Sequence, residues 1–189
     1  MQWALWHGGW AIRPAVEAEL AQVVLLERET RTAPHWAWAE YGPMLHAEAT
    51  GSLRRCLYVA AEGRVVSGFA VGKAVGSGPE VEAELESVVV QPEMRRQGLG
   101  SALCRAVMEW GRHEGAAAIG LEVRAGSAGA VRLYGGLGFV AIGRRPGYYH
   151  DPVEDAVVMR CVLGGVHGAT IDVRAEDGQP VLFQAMGSR

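Results

Sequence analysis

The stretch that most constrains this chain is RRQGLGSAL, Arg95 to Leu103, which follows directly on the apolar run Ser87 to Val90. A strand that reads as buried runs into a loop with two arginines and two glycines, and the loop leads straight into a helix. Successive backbone N–H groups in such a loop can converge on one point, and the helix N-terminus adds its partial positive charge. A Cβ at Gly98 or Gly100 would hold an anion away from that backbone. The segment is suited to holding a pyrophosphate. Two common phosphate loops are excluded. A P-loop needs Lys and then Ser or Thr after its last Gly, where this chain has Ser101-Ala102, and the dinucleotide fingerprint needs Gly at position 103, which is Leu103.

The pattern that remains, Arg95-x-x-Gly98-x-Gly100, resembles the coenzyme A signature of the Gcn5-related N-acetyltransferase superfamily (GNAT). The order of elements agrees. Trp10 to Arg13 reads as a strand, Ala15 to Glu29 as a helix, and Trp36 to Ala49 as a second helix interrupted at Gly42-Pro43. Cys56 to Glu62 and Val65 to Lys73 form a hairpin, and Val81 to Val90 form a third long strand. The next helix puts Leu99, Leu103, Val107 and Trp110 on one face and Ser101, Arg105, Glu109 and Arg112 on the other, with Gly115 as its stop. Ala117 to Val123 alternates as a strand, and Ser127 is placed to cap a short helix from Ala128 to Leu137. Phe139 to Arg144 and Asp155 to Val162 are strands joined by an aromatic loop. These elements predict an α/β (α+β) domain with a mixed, largely antiparallel sheet flanked by helices.

The resemblance covers about residues 10 to 163 and sharpens toward the C-terminal half. LEVRAGSAGAVRLYGGLGF is similar to the superfamily's second signature, ending in L-Y-x-x-x-G-F. RRPGYYHDPVEDAVVM resembles a narrower group, the RimI-type N-terminal acetyltransferases, which acetylate the N-terminal alanine of a ribosomal protein. The domain is accordingly placed at 1–163, with 164–189 as an extension. In that extension Ile171 and Val173 face Val181 and Phe183 like a further hairpin, available to cover a sheet edge or mediate a dimer contact.

Composition narrows the remaining classes. Net charge is −3, so the overall field gives no reason to expect nucleic-acid binding. The three cysteines (Cys56, Cys104, Cys161) lack metal spacing and sit in apolar stretches, reading as buried thiols of a reducing compartment. With no basic start or long apolar run at the N-terminus and no stretch of roughly 20 apolar residues, a cytoplasmic protein off the membrane is expected, monomeric or homodimeric. The six histidines show no i, i+4 pairing, so no metal site is assigned.

The chemistry follows from the acceptor. An α-amine of pKa about 7.7–8.0 is already roughly a tenth to a sixth neutral at pH 7, and freeing it costs about 1 kcal/mol against about 5 kcal/mol for a lysine. A carboxylate acting through water suffices as base. The resemblance assigns that role to Glu122, with Glu84 and Glu86 as rivals; the bland reading of Glu122 is a strand-end partner for Arg124 or a neighbouring strand. Tyr134 falls on the position of the superfamily's acid, although it also continues an apolar stripe with Ala130 and Leu137. For acetyl-CoA the resemblance implies Val88, Val89 and Val90 against the pantetheine arm, and Arg95, Arg96, Gln97, Gly98, Leu99, Gly100 and Ser101 around the pyrophosphate. Ser127 stands where the family usually has Asn. Tyr148, Tyr149 and Glu86 are placed on the acceptor side, and the chain departs from its group at Pro146-Gly147 and at His150-Asp151-Pro152. The resemblance implies acetyl transfer to a protein N-terminal α-amine, with a ribosomal protein among the acceptors. A small amine or lysine as acceptor, or a non-catalytic acyl-CoA-binding module, are the alternatives.

Overall fold

Strands β3 (Leu53–Glu62) and β4 (Val65–Val75) lie inside the sheet, and from Cys56 to Ala61 and from Val66 to Gly72 every residue is buried. That pattern requires cover on both faces. Cys56, Tyr58 and Ala60 of β3 pack into one core and Leu57, Val59 and Ala61 into another on the opposite face. The computed structural model describes residues 5–46 and 52–164 of the chain. The extension from residue 165 on, with its expected hairpin, lies outside the described residues, as do residues 47–49 at the end of the expected second helix.

The eight strands are ordered β1-β2-β3-β4-β5-β6-β8-β7. Here β1 is Leu5–His7, β2 Trp10–Pro14, β5 Glu82–Val90, β6 Ala118–Arg124, β7 Val140–His150 and β8 Val153–Val162. Every pairing is antiparallel except β5 with β6. Helices α1 (Leu20–Glu29) and α2 (Trp38–His46) cover one face, and α3 (Leu99–His113) and α4 (Ala128–Gly136) cover the other. The four apolar α3 residues picked out by periodicity are all buried in the core that holds Cys56, Tyr58 and Ala60, each contributing about 1.5–3 kcal/mol. Gly115 stops the helix at φ 94°, its N–H bonded to the Arg112 carbonyl at 3.0 Å. Cys56, Cys104 and Cys161 are buried free thiols.

Four expectations change. The first helix begins later, because Val16 and Glu19 form a short 3-10 turn in which the Glu19 carboxylate accepts from the Val16 N–H (3.0 Å) and from Arg13 (2.6 and 2.9 Å). Helix α2 is not interrupted at Gly42-Pro43. It runs through Pro43, the sixth of its nine residues, whose missing N–H leaves one carbonyl of the first turn without its helical partner. Ser127 stands at the start of α4, but its hydroxyl makes no capping bond. Finally, the aromatic loop after Arg144 is the outer half of a hairpin, turned at Asp151-Pro152. Register shifts absorb the insertion: Arg145 faces Ala156 and Tyr149 faces Glu154, so Pro146, Gly147 and Tyr148 lie opposite Asp155 alone. Gly147 adopts φ 60° and donates to the Asp155 side chain (2.9 Å) instead of to the ladder.

Candidate active site

The parallel pairing of β5 with β6 is confined to Ala83 with Ile119 and Glu84 with Gly120. Beyond these two pairs the strands diverge. The β4–β5 register shifts between Val71 and Gly72, leaving Glu86 as the extra residue at the point of divergence. From there to Val90 the outer edge of β5 has no strand partner among the described residues. Apart from the Val90 carbonyl, which accepts from Arg95 Nε at 3.1 Å, the backbone groups on that edge are therefore open to a ligand.

Past β5 the loop coils tightly. Arg96 has φ 65° and Gly98 has φ 85°, and α3 begins at Leu99. A left-handed, non-glycine residue followed by a left-handed glycine turns successive N–H groups inward. The two glycines differ in how strictly the structure needs them. At Gly98 the backbone is left-handed, and a Cβ would run into the His7 imidazole, which donates to the Gln97 carbonyl at 2.8 Å. At Gly100 a Cβ would come within 3.4 Å of Leu133 Cδ2 on α4.

Loop, strand ends and α4 enclose a cleft of about 730 Å³. Ten of the eleven residues expected at the cofactor line it: Val88, Val89, Val90, Arg95, Arg96, Gly98, Leu99, Gly100, Ser101 and Ser127. The eleventh, Gln97, does not, since its side-chain amide bonds back to the Glu93 carbonyl (3.5 Å). Sequence reasoning missed Thr30 and Thr32, which reach the cleft from the α1–α2 connection, and Arg132 on α4. The threonines are some sixty residues from the loop in sequence, and only the packing of α1 across the sheet brings them there. Arg132 stands one turn after Gly129 and follows from that spacing once α4 is known to form a wall.

Tyr134 lines the same cleft, and its ring meets Phe139 at 5.8 Å between centroids. Burial lifts the phenol well above its ordinary range, with smaller contributions from Cys104 and Tyr149. The Cys104 thiol is itself pushed up to about 12 by burial. Both groups hold their protons at neutral pH.

Glu122 lies on the far face of β6. Leu121 and Val123 pack beneath α3, so the alternation of the strand sends the carboxylate to the other side. It is 18% exposed, and Oε1 receives the Arg145 guanidinium at 2.8 Å. Its partner is thus on β7 and not Arg124. Tyr148 stands beside it; the hydrogen bond to Glu122 and then burial raise the Tyr148 phenol above its usual range. The Tyr149 hydroxyl donates to the Glu122 carbonyl at 3.4 Å. The two tyrosine rings meet nearly at right angles, with centroids 5.1 Å apart. Arg124 stacks over Tyr149 at 4.1 Å and donates to Asp151 O (3.0 Å), Pro152 O (3.3 Å) and Glu154 (3.2 Å). Glu154 in turn accepts from the Gly126 N–H at 2.5 Å. The hairpin tip is thereby tied to the start of α4.

Glu84 and Glu86 share the face of Glu122 but are neutralised. Glu84 pairs with Lys73, and Glu86 receives Arg55 through two bonds of 2.8 and 3.0 Å. Arg55 also reaches Glu40 of α2 at 3.6 Å. Among the described residues no cluster of His, Cys, Asp and Glu is placed to hold a metal ion, and no helix is long and apolar enough to cross a membrane.

With this geometry in place, comparison with known proteins is decisive at the level of family. The model of the acetyltransferase (GNAT) family matches residues 22–139. The chain belongs to the GNAT family. This GNAT chain is 42% identical over 80 residues to the [ribosomal protein bS18]-alanine N-acetyltransferase of Escherichia coli K12, covering 41% of this chain and 54% of that protein. It is 33% identical over 104 residues to the N-alpha-acetyltransferase RimI of Mycobacterium tuberculosis, covering 54% of this chain and 64% of that one. The chain thus spans about half the length of the curated relatives it matches. In three dimensions it resembles the ribosomal-protein-S18-alanine N-acetyltransferase from Escherichia coli, with a TM-score of 0.66 and 26% identity over 85% of this chain and 97% of that one.

Proposed function

We propose that this GNAT protein is an acetyl-CoA-dependent N-acetyltransferase whose acceptor is a protein N-terminal α-amine, an N-terminal alanine of a ribosomal protein being the first acceptor to test. One observation carries the reading. Glu122, its carboxylate beside Tyr148 and its backbone carbonyl bonded to the Tyr149 hydroxyl, lies where β6 has diverged from β5, while Tyr134 lines the cleft beneath α4. The names of the relatives agree with it.

The cleft fits the CoA moiety: the left-handed backbone at Arg96 and Gly98 and the α3 N-terminus suit its pyrophosphate, and the unpaired edge of β5 suits an amide-bearing arm. When bound, acetyl-CoA supplies the thioester carbonyl. Glu122 takes the proton that the acceptor nitrogen releases as the new C–N bond forms, directly or through a water. Tyr134, held protonated by burial, gives its proton to the thiolate released as the C–S bond breaks. Tyr148 and Tyr149 flank the acceptor backbone, and Glu86, fixed by Arg55, braces the wall beside it.

The test is CoA release from acetyl-CoA with a short peptide beginning Ala-Arg, beside the same peptide with a blocked N-terminus. Release with the free N-terminus alone is expected. Equal release with small amines or lysine side chains would overturn the N-terminal reading, and binding of acetyl-CoA without turnover on any amine would overturn the enzymatic one.

A further inference from the structure

Glu122 is already engaged by a cation. Arg145 Nη1 contacts its Oε1 at 2.8 Å, and this is the one ion pair Glu122 makes among the described residues. The two partners are unequally placed: the Arg145 side chain is 58% exposed and that of Glu122 18%. Arg145 springs from β7, a strand at the edge of the sheet, and the register shifts directly after it. Its guanidinium also lies 5.5 Å from the centre of the Tyr148 ring, on the hairpin expected to receive the acceptor. A guanidinium stays charged throughout the neutral range and has no lone pair to accept a proton, so it cannot replace Glu122 in the chemistry. What it can do is occupy the carboxylate.

We propose that Arg145 is a specificity-determining residue whose guanidinium holds the position at Glu122 that the acceptor's ammonium group takes, so that a cationic acceptor displaces it and an uncharged one does not. The inference deepens the proposed function and rests on Glu122 facing the acceptor amine. Charge balance is its basis. Exchanging a guanidinium for an ammonium leaves a largely buried carboxylate paired throughout, whereas a neutral or acidic acceptor would have to strip that partner away. Arg145, with most of its side chain in solvent, gives up little on leaving, since exposed ion pairs are weak. The incoming ammonium then carries to Glu122 the proton that must be removed before attack. Tyr148 remains beside the carboxylate during the exchange.

The experiment measures KM and kcat for the free Ala-Arg peptide in the full chain. Arg145→Ala is expected to lower KM about 5-fold, the gain that follows from removing a competing ion pair worth about 1 kcal/mol. Arg145→Lys, which keeps the cation, is expected to retain the wild-type KM. In a Glu122→Gln background the Arg145→Ala change is expected to leave the peptide's Kd, read by calorimetry, unaltered. A KM that rises or stays level in Arg145→Ala overturns the proposal, as does an Arg145 effect that persists without the Glu122 charge. Arg145→Gln, which keeps most of the side-chain stem, replaces Arg145→Ala if that variant does not fold. Wild-type kcat in Glu122→Gln alone would instead refute the base assignment, a result separate from the KM shift.

Discussion

Gly98→Ala and Gly135→Ala add the same methyl group to one protein and are expected to move its stability in opposite directions. Gly98 holds φ 85°, which costs an L-residue about 1–2 kcal/mol. The new Cβ would also overlap the His7 ring, forcing it to rotate and to give up its bond to the Gln97 carbonyl, a few tenths of a kcal/mol for an exposed contact. The total is about 2 kcal/mol, or a fall in Tm of roughly 4–8 °C for a domain of this size. Gly135 lies inside α4 with no heavy atom within 4 Å of an added Cβ, and alanine there is expected to stabilise by about 0.5–1 kcal/mol. Calorimetric Tm values for the two variants, with His7→Ala and the His7→Ala/Gly98→Ala double variant, complete the cycle. Removing the imidazole should relieve the overlap and leave only the backbone cost. Equal destabilisation by Gly98→Ala with and without His7 would refute the steric share, and a Gly98→Ala protein as stable as wild type would refute both shares. Acetyl-CoA affinity should fall with Gly98→Ala and stay level with Gly135→Ala.

Tyr134→Phe and Glu122→Gln are each expected to lower kcat about 100-fold, at the low end for a positioned acid or base, while acetyl-CoA binding by calorimetry is unchanged; near-wild-type kcat in either removes that residue from the mechanism. Glu27 is fully buried at the end of α1, accepting from the Tyr41 hydroxyl (2.5 Å) and the Trp36 N–H (3.3 Å). Glu27→Ala strands both donors and should cost about 2–4 kcal/mol in urea unfolding, and a loss under about 1 kcal/mol would show that the α1–α2 connection does not depend on it. At Glu19 burial raises the carboxyl pKa, but the bonds from Arg13 and Val16 outweigh it and hold the group below its ordinary value. A depressed folded pKa means that the unfolded chain binds the proton more readily. The stabilisation is thus full above about pH 4.3 and is lost as pH falls further. Arg13→Gln should flatten that acid limb in unfolding curves taken from pH 6 to pH 2.

The elements most legible in the sequence were those whose periodicity also reports their burial. Leu99, Leu103, Val107 and Trp110 mark α3 because a helix over a sheet must bury one stripe, and Cys56 to Ala61 mark a central strand because both of its faces are covered. The cleft was legible where a local chain segment forms it, from Val88 to Ser101. It was not where distant segments converge, as at Thr30 and Thr32. The outer hairpin was misread because Pro146 and Gly147 are turn residues by local propensity, whereas pairing of Tyr149 with Glu154 and His150 with Val153 overrides them. The Glu122–Arg145 contact depends on that register and could not be anticipated from either residue alone.

The irregularity of β7 has a further consequence, for solubility. An eleven-residue strand at the margin of a sheet, with Val140 and Ile142 exposed, is a template on which a second molecule could add its own strand. Two interruptions of register and the adjacent charges of Arg144 and Arg145 spoil that template along much of its length. Deleting Pro146 and Gly147 would remove the larger of the two interruptions and give neighbouring molecules a longer row of hydrogen-bonding groups, and self-association would be the first failure to appear.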